Sequence, residues 1–393
     1  MKIFDHVSSS NNPIAVCAAT DFAVRLLQNT YDANNTLISP MSLLSVLAMV
    51  QPGAKGDTKE ELDKVIGVDT LEMVELLKQL PMAEVEKKAD GCWSKMAGDR
   101  RRTTVNFANA LWLNDNGKVC FNPNFLHYGK VLFHADVQTL PFDSAACDAI
   151  NQWAKEKTKG QIPHVVDSLS ENMVMFLANA LYFDGKWARA YQPSDVKQRI
   201  FTTGDGKARM ADFMESQEGY YLHDHHAKGF IKNYCGGRYA FAALLPDQGV
   251  SLREYIECLS GKKLHVILDN PLKQKVQTRM PKFEVDQKLE LRKPLLRMGL
   301  GWSFLPILAD FSGIGTPVEP HDSLYIDNVW QINKLKVNEE GTQAVSFTGL
   351  DMLCMQSCAE PEPYRVYLDR PFLYMIIDRE TNLPLFMGTV NNL

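Results

Sequence analysis

The chain has 393 residues, 45% hydrophobic and 23% charged, the balance of a globular protein that buries a sizeable core. A formal net charge of -5 argues against a partner held by its phosphates, and so against nucleic acid. No run approaches the roughly 18 apolar residues of a membrane span, and the N-terminal MKIFDHVSSSNNPIAV has no apolar signal-peptide core.

The first clear element lies in LISPMSLLSVLAMVQPGAKGDTKEEL. Ser39 can cap a helix with Pro40 in its first turn, where the missing N–H costs nothing. The Leu/Val/Met run that follows is apolar nearly all round, which predicts a buried helix stopped by Pro52-Gly53. Thr58 with Glu61 reads as the capping box of a second helix. Arg100, Arg101 and Arg102 form a basic run that could hold a polyanion, although a solvated turn is the simpler reading. In AACDAINQWAKEKT (145–158), Ala146, Ile150 and Trp153 share a helical face, with Gly160 as the stop.

Strand-like runs follow at 173–183, 239–246, 371–378 and 383–390, rich in apolar and aromatic residues and bounded by turn formers. Helices are expected mainly in the first third and strands beyond it, an α+β class with no linker dividing the chain. The eight cysteines, Cys17, Cys92, Cys120, Cys147, Cys235, Cys258, Cys354 and Cys358, show no C-x-x-C pair. They read as free thiols, which points to a reducing compartment such as the cytoplasm unless a targeting segment has been removed.

Catalytic signatures are missing. No G-x-S-x-G, H-E-x-x-H or G-x-x-x-x-G-K-[ST] occurs, and Gly299-Leu300-Gly301 lacks a third glycine. His223-Asp224-His225-His226 lacks the i, i+4 spacing of a helical metal site and reads as a polar loop. No cofactor, no metal and no enzyme activity are expected.

VNEEGTQAVSFTGLDMLCMQ (337–356) is different in kind. No charge separates Glu340 from Asp351. With a period of two, Thr342, Ala344, Ser346, Thr348, Leu350 and Met352 form one uncharged side, opposite Gln343, Val345, Phe347, Gly349 and Asp351. A convincing strand resumes only at Pro371-Phe372, far beyond the roughly 12–15 residues of an ordinary connection. The stretch reads as a loop holding a latent strand.

VNEEGTQA resembles the hinge of the serpins, large metastable protease inhibitors whose usual form is close to V-N-E-E-G-T-E-A. The resemblance runs along nearly the whole chain: Thr36-Leu37-Ile38-Ser39-Pro40-Met41-Ser42, Ile150-Asn151-Gln152-Trp153, Asn179-Ala180-Leu181-Tyr182-Phe183 and Gly185-Lys186-Trp187. Pro281-Lys282-Phe283, Ala309-Asp310-Phe311-Ser312-Gly313-Ile314, Arg370-Pro371-Phe372 and Leu385-Phe386-Met387-Gly388 continue it in order. It implies one domain over 1–393, with about eight to nine helices around three mainly antiparallel sheets and an exposed reactive loop at about 339–368.

It also implies a suicide-substrate mechanism. A serine protease attacks the loop, forms an acyl-enzyme, and is trapped when the cut loop enters the central sheet as a new strand. The expected chain is a monomer in covalent complex with its target, with cysteine proteases as a second target class and no nucleic-acid or membrane partner. Glu339, Glu340, Gly341, Thr342, Gln343 and Ala344 match the hinge, with Glu339 paired to Lys282 near Trp187. Ser39, Ser42 and Asn179 match the polar cluster where the sheet parts, with Gln331 in place of the usual His; a Gln amide both donates and accepts.

Insertion would bury the side beginning at Thr342, where a lone charge would be costly, and about ten new backbone pairings at roughly 1 kcal/mol each would drive it. Counting about 17 residues from Glu339 puts the reactive bond at Met355-Gln356, with Leu353, Cys354 and Ser357 as alternatives. No Lys or Arg occurs between Gly341 and Tyr364, so trypsin-like pockets gain no ion pair and elastase-, chymotrypsin-, cathepsin-G- or subtilisin-like enzymes fit better. A non-inhibitory carrier, chaperone or storage protein of the same fold is the alternative, drawn from Gln331 and the alanine-poor Ala344-Val345-Ser346-Phe347.

Overall fold

The computed structural model describes residues 13–79, 103–170, 173–319, 323–342 and 362–393. Its helices are α1 (Pro13–Thr30), α2 (Pro40–Val50), α3 (Gly56–Ile66), α4 (Thr70–Gln79), α5 (Pro123–Leu132) and α6 (Ser144–Lys157), then α7 (Leu252–Glu257), α8 (Gly261–Asp269) and α9 (Arg292–Met298). The strands begin with β1 (Thr36–Ile38), β2 (Thr104–Asn114), β3 (Val119–Phe121), β4 (Asp136–Leu140), β5 (Met175–Lys186) and β6 (Val196–Thr202). Next come β7 (Ala208–Glu218), β8 (Tyr220–His223), β9 (Ala227–Asn233), β10 (Tyr239–Pro246), β11 (Val276–Pro281) and β12 (Phe283–Glu290). The last are β13 (Gly315–Pro317), β14 (Trp330–Val337), β15 (Gly341–Thr342), β16 (Tyr364–Tyr367), β17 (Phe372–Asp378) and β18 (Pro384–Val390).

Helices therefore pack around mostly antiparallel sheets, the α+β class expected. One six-stranded sheet runs β1-β18-β17-β10-β9-β8, and its central strands β10, β17 and β18 are buried end to end. That is why they read as continuous apolar runs rather than as alternation. A four-stranded sheet runs β16-β11-β7-β6, and β13 pairs with β3. The second six-stranded sheet runs β12-β14-β15-β5-β2-β4, with β2 and β4 parallel and the other pairs antiparallel.

Helix α2 is buried along nearly all its length between the two large sheets, as its all-round apolar sequence predicts. Helix α6 covers the outer face of β2 and β5 through Ala146, Ile150 and Trp153, and Trp153 Nε1 donates to Asp136 at 2.8 Å.

Several local readings are corrected. Ser39 stands at the N-cap of α2, but its hydroxyl donates to the Leu385 carbonyl at 3.1 Å and does not cap the helix. The capping box at Thr58 and Glu61 does not form, because α3 starts earlier, at Gly56. Thr58 accepts from the Asp310 amide and Glu61 from the Trp302 amide, fastening a distant segment to the helix. Pro52-Gly53 does not end α2 abruptly; the chain tightens into a 3-10 turn over Gln51–Gly53. A strand appears before Pro371: Tyr364–Tyr367 pairs in parallel with β11, so the C-terminal end of the supposed loop is anchored. At 223–226, Asp224 accepts from the amides of His226 and Ala227 and pairs with Lys263 at 2.8 Å, which makes it a fastened turn.

Candidate functional site

The segment singled out in the sequence enters the second six-stranded sheet between β14 and β5. Val337 pairs with Thr342, and Gly341 and Thr342 pair with Lys186 and Gly185. Asn338 makes the turn: its side-chain oxygen accepts from the amides of Glu340 and Gly341 at 3.0 and 3.2 Å. Glycine is required at 341 by close approach, since a Cβ there would run into the Gly185 carbonyl.

Thr342 is 2% exposed, on the side that the period-two reading assigns to the interior. Its hydroxyl meets the Tyr234 hydroxyl at 2.7 Å. Tyr234 stacks on Trp187, with ring centroids 4.5 Å apart and planes 9° from parallel. Trp187 in turn holds the entering chain, donating from Nε1 to the Asn338 carbonyl at 2.8 Å and from its amide to the Glu340 carbonyl at 2.9 Å. Burial pushes the Tyr234 phenol well above its ordinary range, and the Thr342 hydroxyl only partly offsets this.

Beneath the stack lies a buried charge that sequence reasoning missed. Lys232 Nζ sits 4.3 Å from the Tyr191 ring centre and 5.4 Å from that of Trp187, and pairs with Glu218 at 2.8 Å. At the surface, Lys282 pairs with Glu339 at 2.5 Å and with Asp212 at 3.4 Å. Burial works to raise the Glu339 carboxyl, but the Lys282 ammonium outweighs it and the group titrates below its ordinary value. Lys282 is shifted upward: burial opposes its charge, and Glu339 and Asp212 more than restore it.

Beyond Thr342, β5 and β14 have no ladder to each other among the described residues. They flank a cavity of about 690 Å³ lined by Ser42 and Val46 of α2, Asn179 of β5 and Gln331 of β14. Met175–Asn179 is accordingly only half-buried, although the sequence reads as an interior strand. The edge that would have buried it faces the gap.

The model for the serpin family, described as serpin (serine protease inhibitor), matches residues 17–393. The chain belongs to the serpins. It is 30% identical to glia-derived nexin of Rattus norvegicus, over 91% of this chain and 87% of that protein. It is likewise 30% identical to leukocyte elastase inhibitor of Xenopus laevis, over 94% of this chain and 97% of the relative. The native state of tengpin, a thermophilic serpin, superposes with a TM-score of 0.86 at 30% identity, covering all of this chain and 96% of tengpin.

In this serpin the polar residues predicted to form one cluster form two, one on each flank of the gap. On the β5 side, Ser42 donates to Asn179, Asn179 donates to Asn109 at 2.7 Å, and Ser45 donates to Asn109 at 3.0 Å. On the β14 side, the Gln331 amide accepts from the Ser39 N–H at 2.9 Å and donates to the Ser39 carbonyl at 2.8 Å. Asn333 donates to the Leu37 carbonyl at 2.9 Å, and Gln287 accepts from the Leu37 N–H at 2.8 Å. Three side-chain amides thus satisfy the free edge of β1 as a neighbouring strand would.

Gln331 therefore keeps both halves of its amide occupied, on Ser39 rather than on Ser42 or Asn179. Asn109 and Asn333 carry this network unannounced; for Asn109 the available signal was an amide inside the apolar run FANALWL, whereas Asn333 lies in the polar WQINKLKV and gave none. Gln343, Ala344, Leu353, Cys354, Met355, Gln356 and Ser357 lie outside the described residues, as do Arg100, Arg101 and Arg102. The described cysteines, Cys17, Cys120, Cys147, Cys235 and Cys258, are free thiols.

Proposed function

We propose that this serpin is a suicide-substrate inhibitor of serine proteases with apolar primary specificity, cut at Met355-Gln356 within a reactive loop at about 339–368. The observation that carries the reading is the seating of Gly341 and Thr342 between β14 and β5, the first rungs of a strand whose continuation meets two edges that are unpaired among the described residues. Each further residue that enters gains ladder hydrogen bonds on both sides, at about 1 kcal/mol net apiece. The uncharged side from Thr342 to Met352 lets alternate side chains enter without stranding a charge. The intact protein is then a kinetic trap, held by a barrier rather than by depth.

The geometry supports a role for each group. Glu339–Lys282 and the Trp187–Tyr234 stack fix the hinge, so the cut loop feeds into the sheet from a defined end. Gln331 and Asn333 hold β14 to β1, while Asn179 and Asn109 hold β5 and β2 to α2, so the gap widens between two separately anchored flanks.

The test is incubation with chymotrypsin-, elastase-, cathepsin-G- and subtilisin-like enzymes, followed by denaturing gels and N-terminal sequencing of the released peptide. A covalent complex with cleavage after Met355 is expected, and the cleaved chain alone should melt well above the intact one. Clean cleavage without complex and without a gain in melting temperature would instead establish a non-inhibitory carrier.

A further inference from the structure

We propose that the buried ion pair Lys232–Glu218 positions the hinge for insertion, and so sets how much of the cut chain traps its protease. The inference rests on the inhibitor reading above and concerns the step after cleavage, leaving cleavage itself untouched.

Packing alone does not account for a lysine at 232. The side chain lies on β9, is 2% exposed and stands directly across from Phe241 of β10. Taking an ammonium and a carboxylate out of water is strongly unfavourable, and an apolar pair of similar volume commonly serves stability as well or better. What an apolar pair lacks is direction. An ammonium keeps a preferred distance and angle to a carboxylate and to a ring face, which a methyl group does not.

The contacts of Lys232 run in three directions. Nζ pairs with Glu218 of β7 at 2.8 Å. Glu218 also accepts from Ser216 Oγ at 2.6 Å, which meets Thr278 Oγ1 of β11 at 2.9 Å, so the carboxylate is fixed within the four-stranded sheet. Nζ faces the rings of Tyr191 and Trp187, which stand just beyond the end of β5 in the second six-stranded sheet. β9 itself belongs to the first six-stranded sheet. One ammonium therefore ties the three larger sheets together at a point. Burial works against its charge, but Tyr191 and Glu218 more than offset this, and the group stays protonated at neutral pH.

The two rings belong to the residues that carry the hinge. Trp187 donates to the carbonyls of Asn338 and Glu340, at 2.8 and 2.9 Å, and the Tyr191 amide donates to that of Glu339 at 2.9 Å. Three consecutive hinge carbonyls thus hang on the residues that wall the ammonium. The backbone adds a second tie, from the Ala188 amide to the Asn233 carbonyl at 3.0 Å. Thr342 enters over Tyr234, two residues on from Lys232 and on the same side of the chain. As β5 and β14 part, ring faces referred to a fixed cation keep these donors aimed, and the new strand starts in register. Without the cation the rings keep their packing but lose that reference. Insertion then slows, and hydrolysis of the acyl-enzyme gains.

The test separates positioning from packing. Lys232→Met/Glu218→Gln removes both charges and strands neither. Tyr191→Leu removes one ring wall and leaves the ion pair and the amide bond to Glu339 in place. Each is mixed with an apolar-specific serine protease that traps the unaltered chain. Denaturing gels give the rate at which intact chain is cut and the ratio of covalent complex to cleaved chain, with melting temperatures measured alongside. The cutting rate should be unchanged, because the loop is attacked before the hinge moves. The ratio should fall about fivefold in both variants, equivalent to about 1 kcal/mol, for loss of a desolvated cation–π contact from the inserting state. Ile231→Val thins the core on the opposite side of β9 and should leave the ratio alone, whatever its effect on melting temperature.

An unchanged ratio in either folded variant, while complex still forms, would overturn the positioning role and leave the inhibitor reading intact. A fall that Ile231→Val reproduces at an equal loss of melting temperature would assign the pair to packing and overturn it too. So would slower cutting in step with the ratio, which would move the effect to attack on the loop. No complex from the unaltered chain with any protease would overturn both readings.

Discussion

Replacing Thr342 with Arg puts the insertion mechanism under direct load. Thr342 is 2% exposed and faces Tyr234, with Lys232 beneath the adjoining aromatic stack and Glu218 already paired to Lys232. An Arg kept at that position would find Glu218 already committed, and an unpaired buried charge costs about 3–5 kcal/mol. The intact protein can escape by expelling Gly341 and Thr342 from the sheet. That forfeits the bond to Tyr234 and a few ladder bonds, about 2–3 kcal/mol, so the chain should still fold and still be cut. The inserted state has no such escape in the same register. If the insertion barrier senses half of a penalty of about 4 kcal/mol, insertion slows about thirtyfold. Hydrolysis of the acyl-enzyme then wins, and on denaturing gels the ratio of covalent complex to cleaved chain should fall by about that factor. Thr342→Ser, which keeps the hydroxyl, is the control. An unchanged ratio for Thr342→Arg would mean that the side beginning at Thr342 does not enter the sheet, and the assigned register would be wrong.

Gln331→Leu should lower the thermal midpoint by roughly 1–3 °C, because it strands the buried N–H of Ser39 at about 1–2 kcal/mol while the Ser39 carbonyl keeps the Leu43 amide; an unchanged midpoint would refute that role. The Glu339–Lys282 pair should show in pH dependence. With the Glu339 pKa below its ordinary value, the pair's contribution is present above that value and disappears as pH falls through it. Intact chain should therefore exceed Glu339→Gln in stability by about 0.5–1 kcal/mol at pH 7, both side chains being about a third exposed, and the two should converge near pH 3 in denaturant titrations. A gap that persists at low pH would assign the effect to packing. Met355→Arg should shift covalent trapping from apolar-specific to trypsin-like proteases; trapping that stays unchanged would move the reactive bond elsewhere.

Local chemistry was enough to find the large elements. The apolar runs that became α2, β10, β17 and β18 announce burial without reference to any partner, since period and composition act within a few residues. The uncharged alternation after Glu340 and the side assigned to Thr342 were also legible, because a strand's two faces follow from spacing alone. Polar residues in ambiguous places were misread. Ser39, Thr58 and Glu61 have the composition of helix caps, yet each found a stronger use across the fold, on Leu385, Asp310 and Trp302.

What only the tertiary structure decided is where long-range polar groups go. Gln331 and Ser39 are 292 positions apart, and nothing near either residue shows that an amide will stand in for a missing strand at the edge of β1. Lys232 looks like an ordinary strand lysine until Glu218, Tyr191 and Trp187 close around it. Periodicity encodes which side of an element is buried; it carries no information about which distant group will satisfy a hydrogen bond there. That choice is made when the sheets come together, because a buried polar atom must pair with whatever the packed chain brings within about 3 Å.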